Sequence, residues 1–337
     1  MSSAQPETWL KPTSQGLYCA PGDFFIDPAR PVERAVITHG HGDHARPGNR
    51  HVLATPATLA IMQSRMGEEA GGTLQPLAYG ETLRLGDVTL RLVPAGHVLG
   101  SAQVVLEHGG SRIVVSGDYK RRPDPTCAPF EPQRCDVFVT EATFGLPVFR
   151  HPPDEQEIGK LLHSVRLFPE RCHVVGVYAL GKCQRVLALL RRQGYAEPVY
   201  LHGALLPLCA LYEQQGVALG PVRPATGAPR DELRGRVVLA PPGAVADLWS
   251  RRLPDPVVSI ASGWMRVKQR AKASGVELPL VISDHADWDE LLATFDDVAA
   301  PEIWVTHGNE EAVVRQATLQ GLKARALSLR GFEDEAE

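Results

Sequence analysis

The sequence predicts an α/β chain in which a β-rich layer with helices outside it is interrupted by an inserted α/β unit. Three observations predict this. From Gly16 to Asp118 the chain runs as short strands between tight turns. From about Asp154 the rhythm changes to helix, strand, helix, the alternation of a parallel α/β unit. Near the end the order strand, histidine, helix returns, so histidines at strand ends occur both early and late with a different architecture between them. One core split by one insertion accounts for all three, with segments at 1–146, 147–281 and 282–337.

The elements follow in order. GLYCA, DFFID, AVITH, HVLAT, VTLRLVPA and SAQVVLEHGGSRIVVSGD carry β-branched or alternating apolar residues, and Gly109-Gly110 marks a hairpin. A helix from Pro56 to about Met66 interrupts them. In the middle segment DEQEIGKLLHSVRLF, GKCQRVLALLRRQG and LLPLCALYEQQG read as helices, and HVVGVYAL, PVYLHGA, GRVVLAP and PVVSIASG as strands. A basic run, RVKQRAK at 266–272, precedes LPLVISDHADWDELLATF and EIWVTHGNEEAVVRQATL.

At 337 residues, 44% hydrophobic and 22% charged, the chain is long enough for two globular domains. MSSAQPETWLKPTSQG lacks a basic start followed by an apolar core, so no signal peptide is expected, and no stretch reaches the length of a membrane span. The six cysteines are scattered without C-x-x-C pairing, which argues against a thiolate zinc site or redox motif and for a reduced, cytoplasmic setting. A net charge of −4 argues against a protein that coats nucleic acid through general basicity. The distribution is uneven: residues 147–281 hold 18 Lys and Arg against 11 Asp and Glu, and the remainder holds 17 against 28. Acidic ends suit carboxylates gathered around cations, and a basic middle suits a polyanion.

The densest chemistry lies in THGHGDH at 38–44, where three of the chain's 12 histidines and an aspartate fall within six positions. The stretch joins the apolar run Ala35-Val36-Ile37 to a loop at Ala45–Asn49. His39 and His41 point the same way if the strand continues, and Asp43 and His44 fall on the turn that folds back toward them. Four ligand-type residues at H-x-H-x-D-H spacing predict a metal site, and nitrogen and carboxylate donors without cysteine favour zinc, manganese or iron. A two-metal site needs more ligands and one bridging carboxylate. His97 in VPAGHVLGS, Asp118 in IVVSGDYK and His307 in IWVTHGN, each at a strand end, supply them.

This order of motifs resembles the metallo-β-lactamase superfamily: Asp27, then HGHGDH, His97 and Asp118. More narrowly it resembles the β-CASP nucleases, through Glu141 in DVFVTEATFG, His285 in ISDHADW, His307 before glycine, and ALGKCQ at 179–184. Within that group it looks most like bacterial exonucleases associated with DNA ligases and repair helicases, through YCAPGDFFIDP and THGHGDHARPG. The resemblance implies an αββα metallo-β-lactamase sandwich from roughly 1–146 and 282–337, with a β-CASP-like insertion between.

The resemblance further implies one metal held by His39, His41 and His97 and another by Asp43, His44 and His307, with Asp118 bridging. The ions, two divalent cations expected to be zinc with manganese or iron as alternatives, activate a hydroxide for phosphodiester hydrolysis. Asp43 also orients the water, and Asp27 fixes a ligand's orientation. His285, hydrogen-bonded to Glu141, protonates the leaving oxygen. Lys182 at a helix start, Gln184 and Lys120 are expected to contact the substrate, with Arg121, Arg122, Arg266, Lys268, Arg270 and Lys272 as further candidates. The expected activity is a 5′-to-3′ exonuclease on single-stranded DNA in repair, with ligase or helicase partners and no membrane. The alternatives are an RNA-processing endonuclease or 5′-exoribonuclease, which shares His307; a small-molecule hydrolase, against which the basic insertion and the Glu141–His285 pair argue; and a non-catalytic nucleic-acid-binding subunit, against which the full ligand set argues.

Overall fold

Side-chain alternation explains the first unit of the structure, a computed structural model that describes residues 5–273, 275–327 and 329. The first four residues read for a leader, and most of the stretch from 328 that was assigned to the core, lie outside the described residues. Contacts divide the chain into one unit of residues up to Phe149 together with those from His285 on, and a second unit, Arg150–Asp284.

In the first unit, strands Val88–Pro94, Ala102–His108, Ser111–Val115 and Val137–Ala142 carry apolar side chains on both faces. Leu90, Leu92, Val104, Leu106, Ile113, Val115, Val137 and Val139 point one way, into a core shared with Leu17, Phe24, Ile26, Val36 and Leu53 of a second sheet. Val93, Val105, Val114 and Phe138 point the other way, under Leu291, Phe295 and Val298 of the helix Trp288–Val298 and Val313 of the helix Glu310–Leu319. On the far side of the second sheet Ala35, Ile37 and Val52 pack against Leu59 and Met62 of the helix Pro56–Met66. Helix, sheet, sheet, helix is therefore the layer order. This is the αββα sandwich, and its central strands are buried on both faces because both have cover.

Among the described residues one sheet has six strands in chain order, from Leu10–Thr13 to Thr73–Pro76. The other has seven, in which Val137–Ala142 lies parallel to both Ser111–Val115 and Glu302–Gly308. That pairing brings the strand ends before Asp118, Glu141 and His307 side by side, although they lie far apart in the chain. The strands Leu10–Thr13, Thr73–Pro76 and Thr82–Leu85 were not expected from sequence. Leu10–Thr13, Thr73–Pro76 and Thr82–Leu85 are sheet edges, two of them contain proline, and most of their residues are exposed, so their apolar signal is weak.

The second unit is a six-stranded, wholly parallel sheet among the described residues, with Cys172–Gly176 at its centre between Val237–Ala240 and Pro256–Ala261. The helix Asp154–Leu167 leads into the sheet, and Lys182–Arg192 and Leu206–Gln214 supply its first two crossovers. Among the described residues no helix is long and apolar enough to cross a membrane.

Candidate metal centre

The strand Arg34–Val36 ends just before Thr38, and the H-x-H-x-D-H residues occupy the loop that follows. Asp27, on the neighbouring strand's end, organises that loop. Its carboxylate accepts the Thr38 N–H at 2.8 Å and the Thr38 hydroxyl at 2.6 Å, and lies 2.8 Å from His44 Nδ1. Two arginines tie down the loop's carbonyls: Arg65 Nη1 donates to Gly40 O at 2.5 Å and Arg46 Nε to Asp43 O at 3.3 Å. Sequence reading missed both, because a backbone carbonyl as partner leaves no residue pattern.

Three donor groups converge. His39, His41, His97 and Asp118 form one; His44, Asp118 and His307 a second; Asp118, Glu141 and His285 a third, each with its ligand atoms within 4.8 Å of one another. Asp118 belongs to all three. Its Oδ2 lies 3.5 Å from His39 Nε2, 3.4 Å from His44 Nε2 and 3.8 Å from His97 Nε2, and its Oδ1 lies 3.0 Å from His307 Nε2. His41 Nδ1 sits 3.1 Å from His39 Nε2 and 3.0 Å from His97 Nε2. Asp43, half-buried, places Oδ2 3.5 Å from His44 Nε2. Thus the seven residues expected at the metal site stand together.

The hydrogen bonds around the cluster test whether these residues fit a cation. Thr38 spends its hydroxyl hydrogen on Asp27, so the His39 Nδ1–H must donate to Thr38 Oγ1, 3.1 Å away. Thr306 likewise donates to Thr140 O, so the His307 Nδ1–H donates to Thr306 Oγ1 at 2.9 Å. His44 directs Nδ1 at Asp27. In each case Nε2 is the nitrogen turned to Asp118. Imidazoles held at one nitrogen by an oxygen, with the other facing a shared carboxylate, are arranged as metal ligands are.

The electrostatics agree. Burial opposes charge on His44, yet Asp118, Asp43 and Asp27 raise it well above its ordinary value; burial likewise opposes charge on His307, and its bond to Asp118 raises it. Burial would push the Asp118 carboxyl up, but His44 and His307 hold it well below the usual carboxylate range. His39 is driven well below its ordinary value by burial and then by His44, so it is a neutral donor. The pocket asks for positive charge beside Asp118, and the nitrogen and oxygen set suits divalent zinc, manganese or iron.

Glycines permit the close approach. A Cβ on Gly96 would meet Lys120 O at 2.3 Å, and one on Gly308 would meet the Ala142 backbone at 2.3 Å, both with positive φ. Beside the cluster, His285 Nδ1 is 2.9 Å from Glu141 Oε2. His285 lies three residues before the helix Trp288–Val298, whose N-cap Asp287 and Glu290 form a capping box. Arg122 reaches that cap, 3.1 Å from Asp287 and 3.2 Å from Glu290, and Arg121 reaches Asp297 on the same helix. These two arginines were expected among the strand-contacting candidates; they brace the helix that follows His285.

The three side chains expected to contact substrate are interior. Lys120 is fully buried, its Nζ 2.5 Å from Asp124 Oδ2 and 3.3 Å from His97 O, so it supports the His97 loop. In the second unit, Lys182 Nζ lies 3.3 Å from Asp284. Buried Gln184 closes its own helix start, accepting from Gly181 N at 2.8 Å and donating to Ala179 O at 2.9 Å. Each of these groups serves the chain's own architecture.

Comparisons with known proteins follow the same line. Residues 26–172 match the metallo-beta-lactamase superfamily. The chain is 30% identical to a probable DNA ligase of Opitutus terrae over 95% of its own length and 31% of that protein's. It is 28% identical to a ribonuclease of Thermus thermophilus over 92% of this chain and 88% of that one. An endoribonuclease of Saccharomyces cerevisiae matches at 22% identity over 78% of this chain and 41% of its own. The chain thus spans about a third of the first of these relatives. Among solved structures, a protein of unknown function from Enterococcus faecalis shares the fold, with a TM-score of 0.57 at 12% identity over 87% of this chain and 78% of that one.

Proposed function

Since the chain carries a metallo-beta-lactamase superfamily domain, we propose that it is a metal-dependent nuclease that hydrolyses phosphodiester bonds, acting as a 5′-to-3′ exonuclease on single-stranded DNA. The observation that carries the reading is Asp118, whose one carboxylate joins both histidine groups and the His285–Glu141 pair. In this reading His39, His41 and His97 would hold one divalent ion and Asp43, His44 and His307 another, with Asp118 available to both. When bound, two such ions supply an activated water and charge stabilisation for the phosphate. His285, oriented by Glu141 at 2.9 Å, holds the proton for the leaving oxygen. Asp27, Thr38 and Thr306 keep the ligand imidazoles in the required tautomer.

The choice of DNA rests on the match to a probable DNA ligase along nearly the whole of this chain, and it brings ligase or helicase partners in repair and a cytoplasmic setting into the proposal. Six free cysteines suit that reducing compartment. RNA is the second reading, favoured by the relatives named as ribonucleases and by His307 standing 3.0 Å from Asp118.

The test is product analysis on matched DNA and RNA single strands labelled at either end, with Mn²⁺ or Zn²⁺ and Asp43→Ala as control. Immediate release of a labelled mononucleotide from 5′-labelled DNA, absent in the variant and weak on RNA, supports the first reading. Preferential loss of RNA, or internal fragments, moves the enzyme to the second. No cleavage of either strand sinks both.

A further inference from the structure

The second unit carries a surface that the chemistry above does not use. After the strand Pro256–Ala261 the chain makes a 3-10 turn, Gly263–Arg266, and a short helix, Lys268–Ala273. Ala271 is buried with Met265 and Val281, against Ile260 and Val276. With Ala271 turned inward, Lys268, Arg270 and Lys272 turn out, and all three are exposed, as is Arg266. From Pro256 through Val276 the sequence holds these four cations and no acidic residue.

Several other arginines of this unit are matched by carboxylates: Arg171 with Glu277, Arg185 with Asp154 and Asp284, Arg234 with Asp231, Arg236 with Glu197. The four cations here form no ion pair with a described carboxylate; Arg270 instead lies 4.0 Å over the ring of half-buried Trp264. Lys268 and Lys272, four apart on one helix, repel each other and weaken it slightly. Four exposed cations in one short stretch that holds no acidic residue suit an external anion. A membrane surface would call for an apolar face turned outward, whereas here the apolar residues of the helix point in and Arg270 covers the tryptophan.

We propose that Arg266, Lys268, Arg270 and Lys272 form a docking surface for a single nucleic-acid strand. The lysines and Arg266 take successive phosphates, and the planar guanidinium held on Trp264 offers its outer face to a base or phosphate. This deepens the nucleic-acid reading of function and rests on it.

The experiment measures binding apart from cleavage. The full chain in EDTA is titrated into a fluorescent oligothymidine at several salt concentrations, and log K is plotted against log salt. Replacing all four cations with glutamine should make the slope shallower by about 0.7 per lost phosphate contact, ~2–3 in total. Arg270→Lys, which keeps the charge and loses the plane, should keep the slope and weaken binding several-fold. Should the fourfold variant melt below the parent, the four single glutamine variants, each lowering the slope by about 0.7, carry the test.

An unchanged slope and affinity in the glutamine variants overturns the proposal, as does a parent that binds phosphatidylserine vesicles and no strand. A parent that binds strands through this surface but cuts none sustains the docking site while ending the nuclease reading. One that cuts strands with a slope indifferent to the four cations ends the docking site alone.

Discussion

Both oxygens of the Glu141 carboxylate are committed: Oε2 lies 2.9 Å from His285 Nδ1, and Oε1 accepts the backbone N–H of Tyr119 at 2.8 Å. Tyr119 is the residue after Asp118, so one buried carboxylate fixes both the imidazole and the backbone beside the shared ligand. Glu141 lies on the central strand Val137–Ala142, which makes it a rigid reference for two loops.

Glu141→Gln keeps the size and the bond from Tyr119 but removes the carboxylate charge that faces His285 Nδ1. In the proposed nuclease, kcat should fall about 10–100-fold with KM little changed, while His285→Ala should cost roughly 10²–10⁴-fold. The double variant should be no slower than His285→Ala, since the carboxylate acts through the imidazole. Additive losses would show that Glu141 acts elsewhere.

Asp27 touches no other donor of the cluster except His44, yet it also fixes Thr38 and, through it, His39. Asp27→Asn should therefore weaken divalent-ion binding about 10–100-fold without abolishing it, whereas Asp118→Ala should remove it. Metal content after dialysis and competition with a chelator measure both. In thermal melts, an ion at 100 times its Kd should stabilise the parent by about 2.7 kcal/mol and leave Asp118→Ala unmoved.

Much of the sandwich was legible because its strands alternate cleanly: Leu90 and Leu92 against Val93, Ile113 and Val115 against Val114. The loop donors were legible for the same reason, since His39 to His44 are local in sequence. What sequence spacing does not contain is the partner of a distant group. Glu141 and His285 are 144 positions apart, and their pairing rested on resemblance alone. Charge misled in the same way. Lys120 and Lys182 read as basic residues near a site and so as phosphate contacts, but whether a lysine faces water or a buried aspartate depends on strands and helices that meet only on folding.

Lys120 makes that distinction measurable. A buried ammonium on Asp124 supports structure, and its removal takes a buried partner from Asp124. Lys120→Met should lower the unfolding free energy by about 3–5 kcal/mol and loosen metal binding through the His97 loop. A substrate contact would behave oppositely, raising KM at unchanged thermal midpoint, so a melt and a kinetic run on one preparation decide between them.

His173 gives the second unit a pH signature independent of the metal centre. It lies fully buried on the central strand Cys172–Gly176, with Nε2 2.9 Å from Ser164 Oγ, and burial lowers its pKa to about 4 from 6.5. The unfolded chain, with an ordinary imidazole, takes up the proton first. Stability from keeping this ring neutral is thus fully present above pH 6.5, drains as pH falls through the window to about 4, and is gone below it. The shift corresponds to roughly 3 kcal/mol. Urea midpoints for the parent and His173→Gln, both free of metal, should diverge most at neutral pH and converge on acidification, because only the parent pays the protonation penalty. Parallel curves from pH 7 to 4 would place the acid sensitivity of this unit in other groups.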